Sequence, residues 1–329
     1  MACAIGLFRR LAICMAVTAG AAALFVARPA QAQEWPKQQP IKILVGFAAG
    51  GGNDVFARLV AQKLTEKLGQ SVVVENRTGA GSIIAFDATA RAAPDGYTLL
   101  IAPFGATIVN PAVYAKLPYD PAQLLPLSIV ASFPFVLVVR SDAGINSIAD
   151  LVAAAKAQPD KANYGIPSVT FQLLGEQLKQ RTGAPFEHIP FRGTNEVLAA
   201  MLSGQLMMSF VDPGPLLGHL KGGRVKALAH SGSARFALLP DVPTMEEVGL
   251  KGVSMDSFMG FMAQSSLPEP IAKRLEAEFI AMAKDREFAE KILHHGLVPV
   301  GSTSKEFADR IAREVPLWKD VAARAKIKL

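Results

Sequence analysis

The sequence predicts an α/β fold arranged in two lobes, and three observations predict it. Strand-like and helix-like patterns alternate along the chain, as they do when helices connect the strands of a largely parallel sheet. The first such unit, "IKILVGFAAGGGNDVFARLVAQKLTEKLG", is an apolar strand, a glycine turn and an amphipathic helix. A second long apolar segment, "DSFMGFMAQ", returns late, after a stretch with strands and helices of its own. That return is the pattern of one lobe inserted into another.

The N-terminal segment stands apart from this pattern. It carries Arg9 and Arg10, then an apolar run, then Ala30-Gln31-Ala32. It reads as a Sec-type signal peptide over residues 1–32, cleaved after Ala32, which sends the mature chain to the periplasm. Both cysteines, Cys3 and Cys14, lie inside it, so the mature chain has no disulfide, thiolate nucleophile or cysteine metal site. The segment holds three arginines and no acid, which takes the formal net charge from +6 to +3. That charge is too mild to imply a nucleic-acid partner. The roughly 297 residues that remain suffice for two domains. None of their apolar runs is as long as a membrane-spanning helix.

In the first unit, "IKILVGF" is short and apolar enough to be a buried strand. Asp54 is placed to cap the helix that follows. Val55, Leu59, Val60, Leu64 and Leu68 share one face at helical spacing, and Gly69 stops the helix. The positive end of the helix dipole points into the glycine turn, the layout of an anion site. Two nucleotide motifs fail there. No Gly-Lys pair makes a P-loop, and the third glycine of a dinucleotide fingerprint is replaced by Val55.

Further strands are expected at "SVVVEN", "PDGYTLLIA", "ANYG", "FEHIPF", "QLMMSFV" and "VKALAHSG". "LSIVASFPFVLVVR" reads as two strands divided at Pro134. Helices are expected from near Ser82, from Ser147 with Asp150 three residues on, and over "FQLLGEQLKQRTG", ending at Gly183. Others are expected after Thr194 as cap, over "LPEPIAKRLEAEFIAMAKD", and from Thr303 with Glu306, with a kink at Pro316. The resulting division is residues 36–136 plus 255–329 in lobe 1 and 137–254 in an inserted lobe 2. The crossings are expected at residues 133–139 and 257–263.

The five histidines show no metal-ligand spacing, and no Gly-x-Ser-x-Gly elbow is present. No metal site is therefore expected, and one type of hydrolase is disfavoured.

"GGGNDVFARLVAQKLTEKLGQSVVVENRTGAGSIIAFDATARAAPDGYTLL", "NPAVYAKLPYDP" and "ALLPDVPTMEEVGL", in that order, resemble the Bug or TctC family. These are extracytoplasmic solute-binding proteins of tripartite tricarboxylate transporters. The resemblance runs from about Pro40 to the C-terminus. It implies a type 2 periplasmic-binding-protein fold whose lobes close over a small organic carboxylate without changing it. It implies no cofactor and no catalytic residue. It implies membrane transporter subunits as partners and a monomeric receptor. A ligand sensor signalling to a membrane kinase is the alternative reading. A secreted hydrolase acting in the cleft is the third.

Carried over residue by residue, the resemblance gives a ligand-binding set. Gly50, Gly51, Asn53 and Asp54 come from the first turn, and Gly81 and Ser82 from "GAGS". In the inserted lobe the set adds Ser168 and Thr170 ahead of a helix, Arg192 and Gly193 of "PFRG", and Asp212. Three positions depart from the family pattern. Met207 and Val211 stand where acids are usual, and Gln172 stands in the place of a histidine. If those side chains face the cleft, the site disfavours zwitterions. It then leans to an apolar or aromatic monocarboxylate, or to a dicarboxylate if Arg192 points inward.

Overall fold

The strand β1 (Ile41–Val45) is buried at every position but Lys42. It leads through the glycine turn into α1 (Gly52–Leu68), then β2 (Val72–Asn76), α2 (Ile83–Ala90) and β3 (Thr98–Pro103). β1 pairs in parallel with both β2 and β3. This computed structural model describes residues 35–329, so the signal-peptide segment lies outside it. The account below concerns the unit Gln39–Leu329.

After β3 comes a π-helical turn, Gly105–Val109, that the pattern did not announce, followed by α3 (Asn110–Val113). β4 (Leu124–Pro134) then runs into β5 (Val136–Arg140), with Phe135 alone between them. There follow α4 (Ile148–Ala157), β6 (Asn163–Ile166), α5 (Val169–Thr182), β7 (Glu187–Pro190), α6 (Thr194–Leu202), β8 (Met208–Val211), α7 (Pro213–Lys221) and β9 (Val225–His230). The chain ends with β10 (Asp256–Gln264), α8 (Glu269–Ala283), α9 (Arg286–Leu293), β11 (Val298–Pro299) and α10 (Ser304–Arg324).

The strands form two sheets, of order β11-β4-β10-β3-β1-β2 and β7-β6-β8-β5-β9. This is the two-lobed α/β architecture of the periplasmic-binding-protein fold. Each sheet has its own core. Phe56 of α1, Phe261 of β10 and Phe279 of α8 pack together under the first, the last two stacked at 4.8 Å. Val136, Val138, Val197, Met201 and Leu216 pack together in the second.

Local sequence rules explain several element ends. Ser147 accepts from the Asp150 amide, and Thr303 and Glu306 cap α10 reciprocally. Gly69 and Gly183 both stop helices at φ 63°. Other expectations are corrected. α1 buries Phe56, Ala57, Val60, Ala61 and Leu64, so its apolar face is rotated from the one read off the sequence. The second crossing is not at residues 257–263, because those lie inside β10. The return runs from β9, which ends at His230, to β10, which starts at Asp256.

The two crossings are bonded through one residue. Ser231 gives its N–H to the Phe135 carbonyl at 2.8 Å, and its Oγ accepts from the Phe135 amide at 2.9 Å. Its carbonyl accepts from Met255 N–H at 2.8 Å, and its hydroxyl donates to the Met255 carbonyl at 2.6 Å. Ser231 is fully buried, so no water can replace a lost partner. Ser231→Ala leaves the Phe135 amide and the Met255 carbonyl each short of a partner. It is expected to cost about 1–3 kcal/mol in urea denaturation.

Next to it, His230 is also fully buried, and its Nδ1 accepts from Gly232 N–H at 3.1 Å. Burial holds the ring well below the usual imidazole range, against the opposing pull of Asp256 and Glu247. The unfolded chain therefore takes up the proton first. Stability is full above the ordinary value of 6.5 and declines as pH falls below it toward the depressed folded value. His230→Asn, which keeps an acceptor for Gly232, should flatten the fall in Tm between about pH 7 and 5.5. An unchanged slope would assign the fall to other groups.

Candidate functional site

Strand direction decides where a site can form. β10 is antiparallel to both β3 and β4, so β4 runs parallel to β3 and leaves the first sheet at its carboxyl edge. β5 is antiparallel to β8, so it enters the second sheet where β8 ends. A one-residue crossing between these points sets the carboxyl edges of the two sheets face to face. In open α/β sheets, ligands bind in the crevice outside such edges. Contacts across the crevice confirm the juxtaposition. A Cβ built on Gly105 would lie 2.8 Å from Thr170 Oγ1, and one on Gly214 would lie 2.7 Å from the His295 carbonyl.

From the first sheet come three turns. In the turn after β1, Gly51 is the N-cap of α1, and Asp54 lies in the first helical turn. Asp54 is thus not the cap that the sequence suggested. It is buried and reaches back to the Gly50 amide at 2.9 Å. It also accepts from Arg58 Nε at 2.9 Å and Nη2 at 3.0 Å, and from Asn76 Nδ2 at 2.9 Å. The Arg58 bond above all holds its carboxyl down at about 2, with Gly50 and Asn76 adding to it against burial. Asp54 is saturated by protein donors, so it shapes the turn. Gly50, Gly51 and Gly52 are exposed, and Asn53 is half-buried with its Oδ1 unpartnered.

The turn after β2 has positive φ at four successive residues, Gly79 (136°), Ala80 (46°), Gly81 (60°) and Ser82 (81°). Ala80 and Ser82 pay a steric cost that glycine avoids. Asn110 Nδ2 holds the Gly81 carbonyl at 2.9 Å. Ser82 is fully buried, its Oγ unpartnered, and a Cβ at Gly46 would lie 1.8 Å from that oxygen. The helix expected from Ser82 begins at Ile83, after a 3₁₀ turn. The turn after β3 is the π-helical one, where Thr107 is buried with Oγ1 unpartnered. Sequence reasoning missed it. π-turns leave little trace in periodicity, although they recur at functional sites. Each of the three turns thus holds one buried side-chain oxygen without a partner, where such atoms are normally satisfied.

From the second sheet come the N-termini of α5, α6 and α7. Ser168 is the exposed N-cap of α5, and Thr170 lies inside its first turn, buried, rather than ahead of the helix. Gly193, not Thr194, is the N-cap of α6. Arg192 is exposed, and its amide donates to Glu196 at 3.1 Å. Thr194 gives its hydroxyl to Asp212 at 2.7 Å. Asp212 is half-buried at the N-cap of α7. Val211 is fully buried in the lobe core, so its departure from an acid says nothing about the ligand. Met207 is half-buried, its amide held by Asn163 Oδ1 at 3.0 Å. Gln172 Nε2 lies 3.5 Å from His188 Nε2.

Two α/β lobes bonded at paired crossings, with facing carboxyl edges, define a solute-binding receptor of the periplasmic type. Residues 56–326 match the family described as "Tripartite tricarboxylate transporter family receptor", and the chain belongs to that family. It is a periplasmic receptor that serves a membrane transporter, not an enzyme. Protein BugT of Bordetella pertussis is 33% identical over 308 residues, covering 92% of this chain and 94% of the relative. An R. palustris protein solved with adipate superposes with TM-score 0.82 at 29% identity, covering 90% of this chain and 99% of that one. MatC from Rhodopseudomonas palustris, solved with bound malate, gives TM-score 0.76 at 27% identity, covering 87% and 99%.

Asp54→Asn removes the charge from the bonds that tie the first turn to β2. It should cost about 2–3 kcal/mol at neutral pH. Because the folded carboxyl is depressed from 3.8 to about 2, wild-type stability from this group is lost as pH falls through that window. The gap between wild type and variant should therefore narrow below about pH 4 in denaturant titrations at stepped pH.

Proposed function

We propose that the receptor captures a small organic carboxylate in the crevice between its lobes and delivers it to the transporter's membrane subunits. Lobe 1 is residues 36–136 with 255–329, and lobe 2 is residues 137–254. The mature chain starts after Ala32 and acts as a monomer. The carboxylate meets backbone amides at the start of α1, those of Gly52 and Asn53, with Gly50 and Gly51 lining the approach and Asp54 fixing the turn through the Gly50 amide. Gly81 and Ser82 form the neighbouring wall. Ser168, Thr170, Arg192, Gly193 and Asp212 close from lobe 2.

One observation carries this reading. Gly51 and Gly52 have ordinary negative-φ backbone, and the protein gives them room. A Cβ on Gly52 would meet nothing within 4 Å, and one on Gly51 only the Ala48 carbonyl at 3.3 Å. Glycine inside a helix gives up stability relative to alanine, so neither packing nor φ accounts for Gly52, whereas Gly51 is also a favourable N-cap. Their smallness suits close approach of an anion to the helix N-terminus. The bound adipate and malate of the two solved relatives support the same ligand class.

Gly51→Val keeps α1 but lines its N-terminus with two methyl groups. Calorimetry with C4 to C6 mono- and dicarboxylates should show binding weakened at least about tenfold, with Tm lowered only modestly by the poorer N-cap. The neutral amide of whichever acid binds should bind far more weakly. An amide as tight as its acid overturns the anion reading.

A further inference from the structure

We propose that Asp212, oriented by Thr194, selects ligands that carry a hydrogen-bond donor, a hydroxyl or an ammonium, beside the carboxylate. This rests on the carboxylate reading above and adds a second point of recognition to it.

Asp212 has no complete structural use. It stands at the N-cap of α7 but makes no side-chain cap bond. Among the described residues its carboxylate accepts from the Thr194 hydroxyl and from its own backbone amide, with no cation beside it. Asp54, the other carboxyl at the crevice edge, shows the contrast, since four protein N–H bonds saturate it. A half-buried acid without a cation is costly, and burial does push the Asp212 carboxyl up from its ordinary value. A carboxyl in that condition needs a donor.

Its location says which donor it meets. Asp212 follows β8 at the carboxyl edge of the second sheet, and the next two residues touch the first lobe. A Cβ on Gly296 would lie 2.5 Å from Gly214 N and 2.8 Å from Pro213 Cβ. Asp212 therefore sits at the floor of the crevice, beside the crossings. The helix N-termini around it offer N–H donors, which suit the ligand's carboxylate. Asp212 offers acceptor oxygens, which suit a hydroxyl or an ammonium. Thr194, by taking up one oxygen, turns the other to a fixed direction. An unsubstituted acid leaves that oxygen desolvated and unpaired when the lobes close, and such a loss discriminates strongly.

The test is calorimetry on the mature chain with matched acids. Malate and aspartate are compared with succinate, and 3-hydroxybutyrate with butyrate. Wild type should bind a donor-bearing acid at least about tenfold tighter than its unsubstituted partner. Asp212→Ala should bring that ratio to within about twofold, and Thr194→Val should reduce it less. Asp212→Asn keeps the shape and guards against a folding defect. It should lose preference for the ammonium before the hydroxyl. Thermal melts of each variant check the fold. Acids that bind without donor preference, or a preference that survives Asp212→Ala, would overturn the assignment and leave the carboxylate reading standing. Failure of every acid to bind would overturn both.

Discussion

Ser231 bonds to Phe135 on one side and Met255 on the other, through both its backbone and its hydroxyl. The outgoing crossing is a single residue between β4 and β5. The returning one is residues 231–255, and Ser231 opens it while Met255 closes it. Four bonds at one buried point thus join the strands of one sheet to those of the other. A short tether of this kind restricts the lobes to bending about it. They cannot slide past each other without breaking buried bonds that no water replaces. The register of the crevice follows from that restriction.

Given the tether, strand direction does the rest. β4 leaves the first sheet at its carboxyl edge, and β5 enters the second at the end of β8. The turns that leave parallel strands at those edges all run into helix N-termini. Each terminus contributes about 0.3–1 kcal/mol toward a nearby anion at a wet surface, and up to about 2 when partly buried. Several converging on one crevice can hold a carboxylate without a lysine. Closure strengthens this, because expelled water no longer screens the dipoles. The ligand favours the closed form by the difference between its affinities for the two forms.

Much of this was legible in the sequence because it is local. Ser147 with Asp150, Thr303 with Glu306, and the stops at Gly69 and Gly183 each depend on neighbours within a few residues. The family motifs gave the fold and the crevice-facing turns. What failed was set by distant partners. Asp54 looked like a cap by type and position, but Asn76, 22 residues away, and Arg58 pull it into the first turn, and Gly51 takes the cap. The apolar run at residues 257–263 looked like a crossing, yet pairing with β3 on one side and β4 on the other makes it the interior of a sheet. The resemblance left Val211 open between cleft and core, and its pairing with Val136 at the start of β5 buries it in the lobe core. The π-helical turn had no periodic signature at all.

The glycines of the crevice separate into two kinds. Gly46, Gly105, Gly214 and Gly296 are imposed by the protein, since an added Cβ would meet a neighbour at 1.8, 2.8, 2.7 and 2.5 Å. The contacts of Gly105, Gly214 and Gly296 run between lobes, so they set how near the two edges can come. A Cβ on Gly52 would have no neighbour within 4 Å, and one on Gly51 only the Ala48 carbonyl at 3.3 Å. The first kind fixes the dimensions of the crevice, and the second keeps its wall bare where helix amides emerge. Size and chemistry are therefore specified by different residues. A substitution at Gly105 should change how far the lobes close, whereas one at Gly51 changes what the closed crevice can hold.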